Sequence, residues 1–475
     1  TGSCTSTSGC YGNGSLLILA ALNSGGGAVD LRAQSGSLYL KDTITSAGGA
    51  VQLQAAGTVY SGYYDQPISG GTYYGYGNIN TATGTLSISG SSVDLEGTIT
   101  AMGGITMNAT GSLYDYATTN FGAGTVAFTA GSTIYAYYLN GTGAVSAQST
   151  SSSANLGSST GGLMLGNVTA PSIYVSASGP ISAASASTKL TATSSSIYLS
   201  ASGAGASIGS ASLPVIVDTS SLSISADSTV NVQFPASPTR TLTVLDLDLD
   251  AAGLGTTSAI GGGPVLGSGL SLASNGSVVT ASINPLIALN SFTLDVGSGG
   301  MTVSSLSNTG STYLYADGNM TLSGATGNGS SNLNMYSNSG SVTLGTIANV
   351  GSFNVDAQTG ITVGSVASTS ASLDAFTGNI VAAADNAAYE IDAGTGSVQI
   401  RAYQGSIGGS NGFSVRGGSV ALNGGGSGSV GSIGSVAKPV IVNSTGNLNV
   451  ETAGTFNIIG KDASDVLQSF SGMTV

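Results

Sequence analysis

An all-β fold, a parallel β-helix of about 20 residues per coil, is predicted by three observations. The first is a repeat. Met301-Thr302-Val303, Met320-Thr321-Leu322, Val342-Thr343-Leu344, Ile361-Thr362-Val363 and Ile380-Val381-Ala382 are one short motif written five times, with starts 19, 22, 19 and 19 residues apart. The second is a companion series, Leu314-Tyr315-Ala316, Leu333-Asn334-Met335, Phe353-Asn354-Val355 and Leu373-Asp374-Ala375, spaced 19, 20 and 20 apart. The third is the pattern inside each motif. In most copies two apolar residues flank a polar one, so alternation along a strand turns the flanking pair inward and the middle residue outward. One such unit cannot bury its apolar side alone. Stacking unit on unit buries a continuous core and pairs each strand with its copies above and below.

Taken in order, residues 1–56 hold a cysteine-bearing start and then the first coils, at Val29-Asp30-Leu31, Leu38-Tyr39-Leu40 and Val51-Gln52-Leu53. Residues 57–84 break the pattern with Tyr60, Tyr63, Tyr64, Tyr73, Tyr74 and Tyr76 among Gly, Ser and Pro67, and are expected to form a loop insertion. Residues 85–234 resume the coils, with an irregular corner expected over 145–170, where strand signals are few. Residues 235–300 are less regular, because Pro235, Pro238, Pro264 and Pro285 interrupt backbone pairing. Residues 301–475 are the regular coils described above. A longer echo joins the two halves: Ile208-Gly209-Ser210 with Pro214-Val215-Ile216-Val217 returns 225 residues later as Ile433-Gly434-Ser435 with Pro439-Val440-Ile441-Val442. One continuous rod with a recurrent coil variant is expected, of about 24 coils.

Composition narrows the function classes. Charged residues are 6% of the chain, there is no His and no Trp, and helix formers such as Glu, Lys and Arg are scarce. The 75 glycines do not signal disorder, since apolar residues make up 41% and recur at regular intervals. The net charge of −13 and the scatter of the eight Lys and Arg residues argue against nucleic acid as a partner. No apolar run reaches the length of a membrane span. Without His, no Ser-His or Cys-His nucleophile system is available. No acid cluster beside a base suggests lyase chemistry either, so the chain is expected not to be an enzyme and to need no cofactor. Cys4 and Cys10 suggest a small disulfide loop and an oxidising compartment; free thiols or a metal pair are the alternatives.

The Ile-Gly-Ser-x-x-x-Pro-Val-x-Val coil, beside Gly-Ser-Val-x-Leu and Gly-x-Ile-x-Val coils, resembles the repeat region of filamentous haemagglutinin-like exoproteins, bacterial surface proteins of the two-partner secretion route. The resemblance covers nearly the whole chain. It implies a right-handed helix, export through an outer-membrane partner barrel, and a place on the bacterial surface or outside the cell. The family's Asn-Pro-Asn-Gly-type secretion motif is not matched; Asn284-Pro285-Leu286 is the nearest sequence. The resemblance therefore points to the stalk rather than the targeting end.

Two groups of residues are candidates for contact. Tyr60, Tyr63, Tyr64, Tyr73, Tyr74, Tyr76, Tyr135, Tyr137 and Tyr138, with Tyr114 and Tyr116, suit a surface for glycans or a partner subunit, because tyrosine joins an apolar body to a polar tip. Packing of the loop back on the rod is the alternative. Asp246, Asp248 and Asp250 share one strand face; a solvated outer face is the plain expectation, and a calcium site through carboxylate oxygens the sharper one. Thr302, Thr321, Thr343 and Thr362 are expected to stack as one outward column, which suits cross-strand stabilisation better than the paired rows of an ice-binding solenoid. The function expected is an extracellular structural and adhesive β-solenoid, self-associating end to end through open ends such as the apolar tail Ser469-Phe470-Ser471-Gly472-Met473-Thr474-Val475. The alternative is a carbohydrate-binding or carbohydrate-cleaving β-helix.

Overall fold

A computed structural model describes residues 10–12, 14–62, 76–250, 257–261, 270–274, 278–283, 289–307, 309–384, 389–426, 429–460 and 473–474. Among these there is no helix, and none therefore long and apolar enough to cross a membrane. The chain is a parallel β-solenoid of about 19 turns and about 21 residues per turn. It divides into two compact units, Thr1–Thr241 and Leu242–Val475.

In the first unit each of the early turns contributes up to three short strands, one to each of three parallel ladders. One ladder runs through Leu16–Ile18, Leu38–Leu40, Thr58–Ser61, Ser92–Leu95, Leu113–Asp115, Ile134–Ala136, Ser153–Ser158, Ser172–Ala177, Ser196–Ala201 and Ser221–Ala226. Its register places Leu38, Val59, Val93, Leu113, Ile134, Ala154, Ile173, Ile197 and Leu222 in one column, and all are 0% exposed. A side chain in this column is covered by its copies above and below as well as by the other ladders. Each Leu, Ile or Val there contributes about 1.5–3 kcal/mol of burial. A second ladder passes through Val29–Ala33, Val51–Ala55, Leu86–Gly90 and Ile105–Ala109, and a third through Ile44–Thr45, Ile79–Ala82 and Thr98–Ala101.

The turns differ in length although the ladders stay aligned. Val51 pairs with Leu86, 35 positions on, whereas Ala154 pairs with Ile173 only 19 on. The strands pair in register whatever the length of chain between them. This explains why 475 residues wind fewer turns than a uniform 20-residue period predicts. The tyrosine-rich insertion is also narrower than its sequence suggests. Thr58–Ser61 and Ile79–Ala82 at its flanks are ladder strands, and residues 63–75 lie outside the described residues. Residues 145–170, expected to be irregular, are instead strands: Ala144–Ser149, Ser153–Ser158 and Leu163–Ala170. Ala147, Ser149, Ala154 and Ser158 fill inward positions there. Small residues thus share the inward slots with Val145, Leu156, Leu163, Leu165 and Val168, and the apolar signal is thin before Leu163-Met164-Leu165.

In the second unit Met301, Met320, Val342, Ile361 and Ile380 sit directly over one another, and Thr302, Thr321, Thr343 and Thr362 form the column beside them. Leu314, Met335, Val355, Leu373, Ile400 and Leu422 make the matching inward column of the companion ladder. The parallel rule is broken once among the described residues, where Ser258–Gly261, Leu270–Ser274 and Val278–Ile283 pair antiparallel before Val278 joins Gly300 in parallel.

The echoed coil is the same local structure in each unit. Ile208 and Ile433 make single bridges to the rungs on either side, Gly209 and Gly434 hold φ +66° and +67°, and Ser210 and Ser435 each donate a backbone N–H across a tight turn, to Leu213 O and Lys438 O. A Cβ at Gly209 or Gly434 would meet the backbone of Asn231 or Asn457 at 2.2 or 2.5 Å, so only glycine passes this corner.

Candidate functional site

The most developed surface feature lies on the outward side of the first unit's long ladder. Between the buried positions, the register aligns Tyr39, Tyr60, Asp94, Tyr114, Tyr135, Asn155, Tyr174, Tyr198 and Ser223 in one column. Two residues further along each strand lie Lys41, Gly62, Glu96, Tyr116, Tyr137, Gly157, Ser176 and Ser200. Tyrosines that are far apart in the chain therefore become neighbours at the spacing of paired strands, about 4.8 Å.

The rings touch. Tyr114 and Tyr116 lie parallel with centroids 6.0 Å apart, Tyr116 and Tyr135 are 5.0 Å apart, and Tyr135 and Tyr137 4.7 Å. Tyr174 and Tyr198 follow at 6.4 Å. Gly157 leaves room for the Tyr137 ring, whose Cδ1 would lie 2.9 Å from a Cβ at that position. Burial raises the Tyr137 pKa, as do Tyr135, Tyr198 and Tyr174 nearby. Burial likewise raises the Tyr116 pKa, helped by Asp94, Tyr135, Tyr114 and Glu96, so both phenols stay neutral well above neutral pH. The band nonetheless reaches solvent: Tyr116 is 44% exposed, Tyr174 39% and Tyr198 36%.

Charge sits at one end of this band. Asp94 is raised in pKa by burial and by the neighbouring carboxylate of Glu96. Lys41 is lowered by burial, against the pull of Glu96; its Nζ donates to Gly62 O at 2.9 Å and lies 5.5 Å from the Tyr60 ring centre. The face thus offers aromatic edges, phenol hydroxyls and carboxylates on a backbone ladder.

The second unit uses the corresponding outward positions differently. Tyr313, Tyr315 and Tyr336 stack at 6.4 and 4.9 Å. Beyond them Asn354 Nδ2 donates to Asn334 Oδ1 at 2.8 Å, and Arg401 grips Asp374 with Nε–Oδ1 and Nη2–Oδ2 both at 2.5 Å. Asp356, next in that column, is raised in pKa by burial and by Asp374, with Arg401 opposing. Phe376, 43% exposed, stacks on Tyr403 at 5.3 Å.

Of the tyrosines singled out by sequence, Tyr135 and Tyr137 belong to the band and Tyr60 to its column. Tyr76 and Tyr138 are separately exposed, at 54% and 46%. Tyr63, Tyr64, Tyr73 and Tyr74 lie outside the described residues, as does Cys4, so the Cys4–Cys10 bridge is not described either. Tyr39, Tyr174 and Tyr198 are additions. Each is the middle residue of a strand motif, which was the available signal, but only register puts them in one column. Asp246, Asp248 and Asp250 do alternate with the buried Leu245, Leu247 and Leu249. Successive members are two residues apart on a strand, a spacing of about 6.6 Å that suits solvent better than one shared ion. Asp250 accepts from Ser298 Oγ at 3.2 Å, and among the described residues no three His, Cys, Asp or Glu side chains group as a metal site. Comparison with protein-family models, with curated proteins and with solved structures gave no match.

Proposed function

We propose that this chain is a structural, adhesive β-solenoid of a bacterial surface or secreted fibre, of the filamentous haemagglutinin-like kind, and that it is not an enzyme. The observation that carries the reading is the aromatic band: six tyrosines from Tyr114 to Tyr198 aligned by backbone register on one exposed face. Ordered rings offer contact area at little entropic cost, and a ladder holds them fixed. The near absence of charge on the remaining surface and the lack of histidine fit a scaffold. Export through an outer-membrane partner and end-to-end self-association belong to this reading.

The test has two arms. Beads coated with the protein are passed under flow over surfaces bearing mucin, cellulose or the protein itself. Retention on at least one surface is expected, with a several-fold loss when Tyr116, Tyr174 and Tyr198 are all replaced by Ser. Retention no better than that of albumin-coated beads on every surface would overturn adhesion. In cells that make the protein, trypsin applied outside should remove it; recovery only from the protected interior would overturn the location. A second reading, a carbohydrate-binding β-helix, is favoured by the exposure of Tyr174 and Tyr198, and binding confined to the cellulose or mucin surface would select it.

A further inference from the structure

Three successive rungs of the second unit take unequal lengths of chain past one corner. Ile347 pairs with Val366 and Val350 with Ser368, so two residues, Ala348 and Asn349, pass beside the single residue Ala367. On the other side Ala367 pairs with Asp392 and Ala371 with Val398, so three residues of one rung run beside five of the next. The middle rung takes the shortest path and is sunk between two that bulge. Left-handed backbone at Asn349 (φ +55°) and Gly394 (φ +56°) marks both bulges. The result is a groove of about 440 Å³, floored by Ala367, Ser368 and Thr369 and walled by Asn349 on one side and Gly394, Thr395 and Arg416 on the other. That volume lies in the range of small-molecule sites.

The groove carries unused polar groups. Ser368 Oγ is buried and has no hydrogen-bond partner among the described residues. On the wall, Asp392 Oδ1 lies 2.9 Å from Arg416 Nε in an ion pair and accepts from Gly394 N at 2.9 Å. No described residue hydrogen-bonds to Asp392 Oδ2 or to the terminal Arg416 N–H groups. A carboxylate oxygen and guanidinium donors side by side complement two adjacent hydroxyls, each of which both donates and accepts. Asp392 already neutralises Arg416, and the chain is strongly acidic, so an anionic ligand is disfavoured.

We propose that this groove binds one neutral pyranose of a glycan, with vicinal hydroxyls bridging Asp392 and Arg416. The site shares no residue with the aromatic band, so either can fail without the other. Its test is saturation-transfer NMR on the full chain with the methyl glycosides of glucose, galactose and mannose as probes and glucuronate as the anionic comparator. At least one neutral glycoside should receive saturation at millimolar concentration. Ala367→Trp, at an exposed floor position, and Thr395→Trp, from the opposite wall, should each weaken binding about tenfold or more, a loss of about 1.4 kcal/mol. Amide spectra should report an intact ladder in both variants, and the Tyr116, Tyr174 and Tyr198 triple Ser variant should bind like the parent. No transfer to any neutral glycoside, transfer that survives both tryptophans, or stronger binding of glucuronate would each overturn the proposal.

Discussion

The outward columns of the two units rest on the same kind of backbone ladder and are held together by different forces. In the first unit, Tyr114, Tyr116, Tyr135 and Tyr137 lean on one another as neutral rings. In the second, one column passes from stacked Tyr315 and Tyr336 to the Asp374–Arg401 ion pair, and the column beside it passes from Tyr313 to the Asn334–Asn354 amide pair. The inward columns diverge far less, being Leu, Ile, Val, Met, Ala and Phe at most positions, with a small or polar residue such as Ser149, Ser158 or Asp115 at a few. The contrast teaches where the fold is specified. Inward residues and the backbone ladder define the solenoid, and outward residues are free to vary provided that each suits the copy above and below. That freedom lets one face become a contact surface without disturbing the core.

The sharpest test of this division compares inward with outward losses. Phe353 and Phe128 are both essentially fully buried, one in each unit. Phe353→Ala and Phe128→Ala should each cost about 3–5 kcal/mol, the transfer of the ring plus the cavity left behind. Urea unfolding with hydrogen exchange read rung by rung should show the loss centred on the altered turn and its neighbours. A cost below that of the outward changes described next would break the comparison.

Asp115 is the exception that sharpens it, because a carboxyl occupies an inward position of the first unit. It is 1% exposed, accepts from Thr119 Oγ1 at 2.8 Å and Ala117 N at 3.2 Å, and burial pushes its pKa up to about 7 despite both bonds. Its folded pKa lies above its unfolded value near 3.9, so folding favours the protonated form. The stability it contributes is intact below about pH 4 and is lost as pH rises to about 7, on the order of 4 kcal/mol. Asp115→Asn keeps an acceptor without the charge and should flatten that window, seen as a nearly constant unfolding midpoint from pH 4 to 7. Asp218 should behave oppositely. Burial raises its pKa, but bonds from Lys189 Nζ at 2.6 Å and from the Thr239 N–H and hydroxyl outweigh burial and leave it lowered. Its contribution is present above the ordinary carboxylate range and disappears as pH falls through the lowered value.

These inward exceptions also measure how much was legible beforehand. The stack of Val342, Ile361 and Ile380 was readable because large apolar residues recur at a fixed spacing. The strands over 144–158 were not, since Ala147, Ser149, Ala154 and Ser158 carry no apolar signal yet fit the same inward slots, whereas Leu163-Met164-Leu165 just after them did carry it. The aromatic band was half readable. Tyr135 and Tyr137 stand close in sequence to Tyr114 and Tyr116, but the alignment of Tyr135 with Tyr174 and Tyr198 through Asn155 depends on turn lengths of 20, 19 and 24 residues, which only pairing reveals. The groove at Ser368 was unreadable, because it arises from a mismatch in length between adjacent rungs rather than from any residue type.

Within the second unit's outward column, the ion pair should matter more than the rings. Arg401 lies across the rung from Asp374, and the two partners' side chains are 32% and 10% exposed. Its hydrogen bonds to Asp374 raise the Arg401 pKa, so the guanidinium stays charged. Arg401→Met strands a mostly buried carboxylate and should cost about 2 kcal/mol, less than the ~3–5 of a fully buried pair because solvent reaches the guanidinium. Adding Asp374→Leu should recover most of that loss in the unfolding midpoint. No recovery would mean that the pair is worth more than its packing.

The smallest expected effect bears most directly on the contact surface. Tyr135→Ser removes a ring that touches Tyr116 and Tyr137, and Tyr336→Ser removes one that touches Tyr315. Aromatic pairs are worth about 0.5–1.5 kcal/mol each, and a serine retains the backbone ladder and the outward polarity. Each change should therefore cost about 1 kcal/mol in urea unfolding. The first loses two ring contacts, so it should cost slightly more than the second. In the adhesion assay the order of consequence should reverse relative to the core: Phe128→Ala leaves the exposed rings of Tyr174 and Tyr198 in place, whereas Tyr135→Ser opens a gap in the band. A Tyr135→Ser protein that is as adhesive as the parent, beside a Phe128→Ala protein that has lost adhesion while its other rungs remain protected, would place the contact surface somewhere other than on these rings.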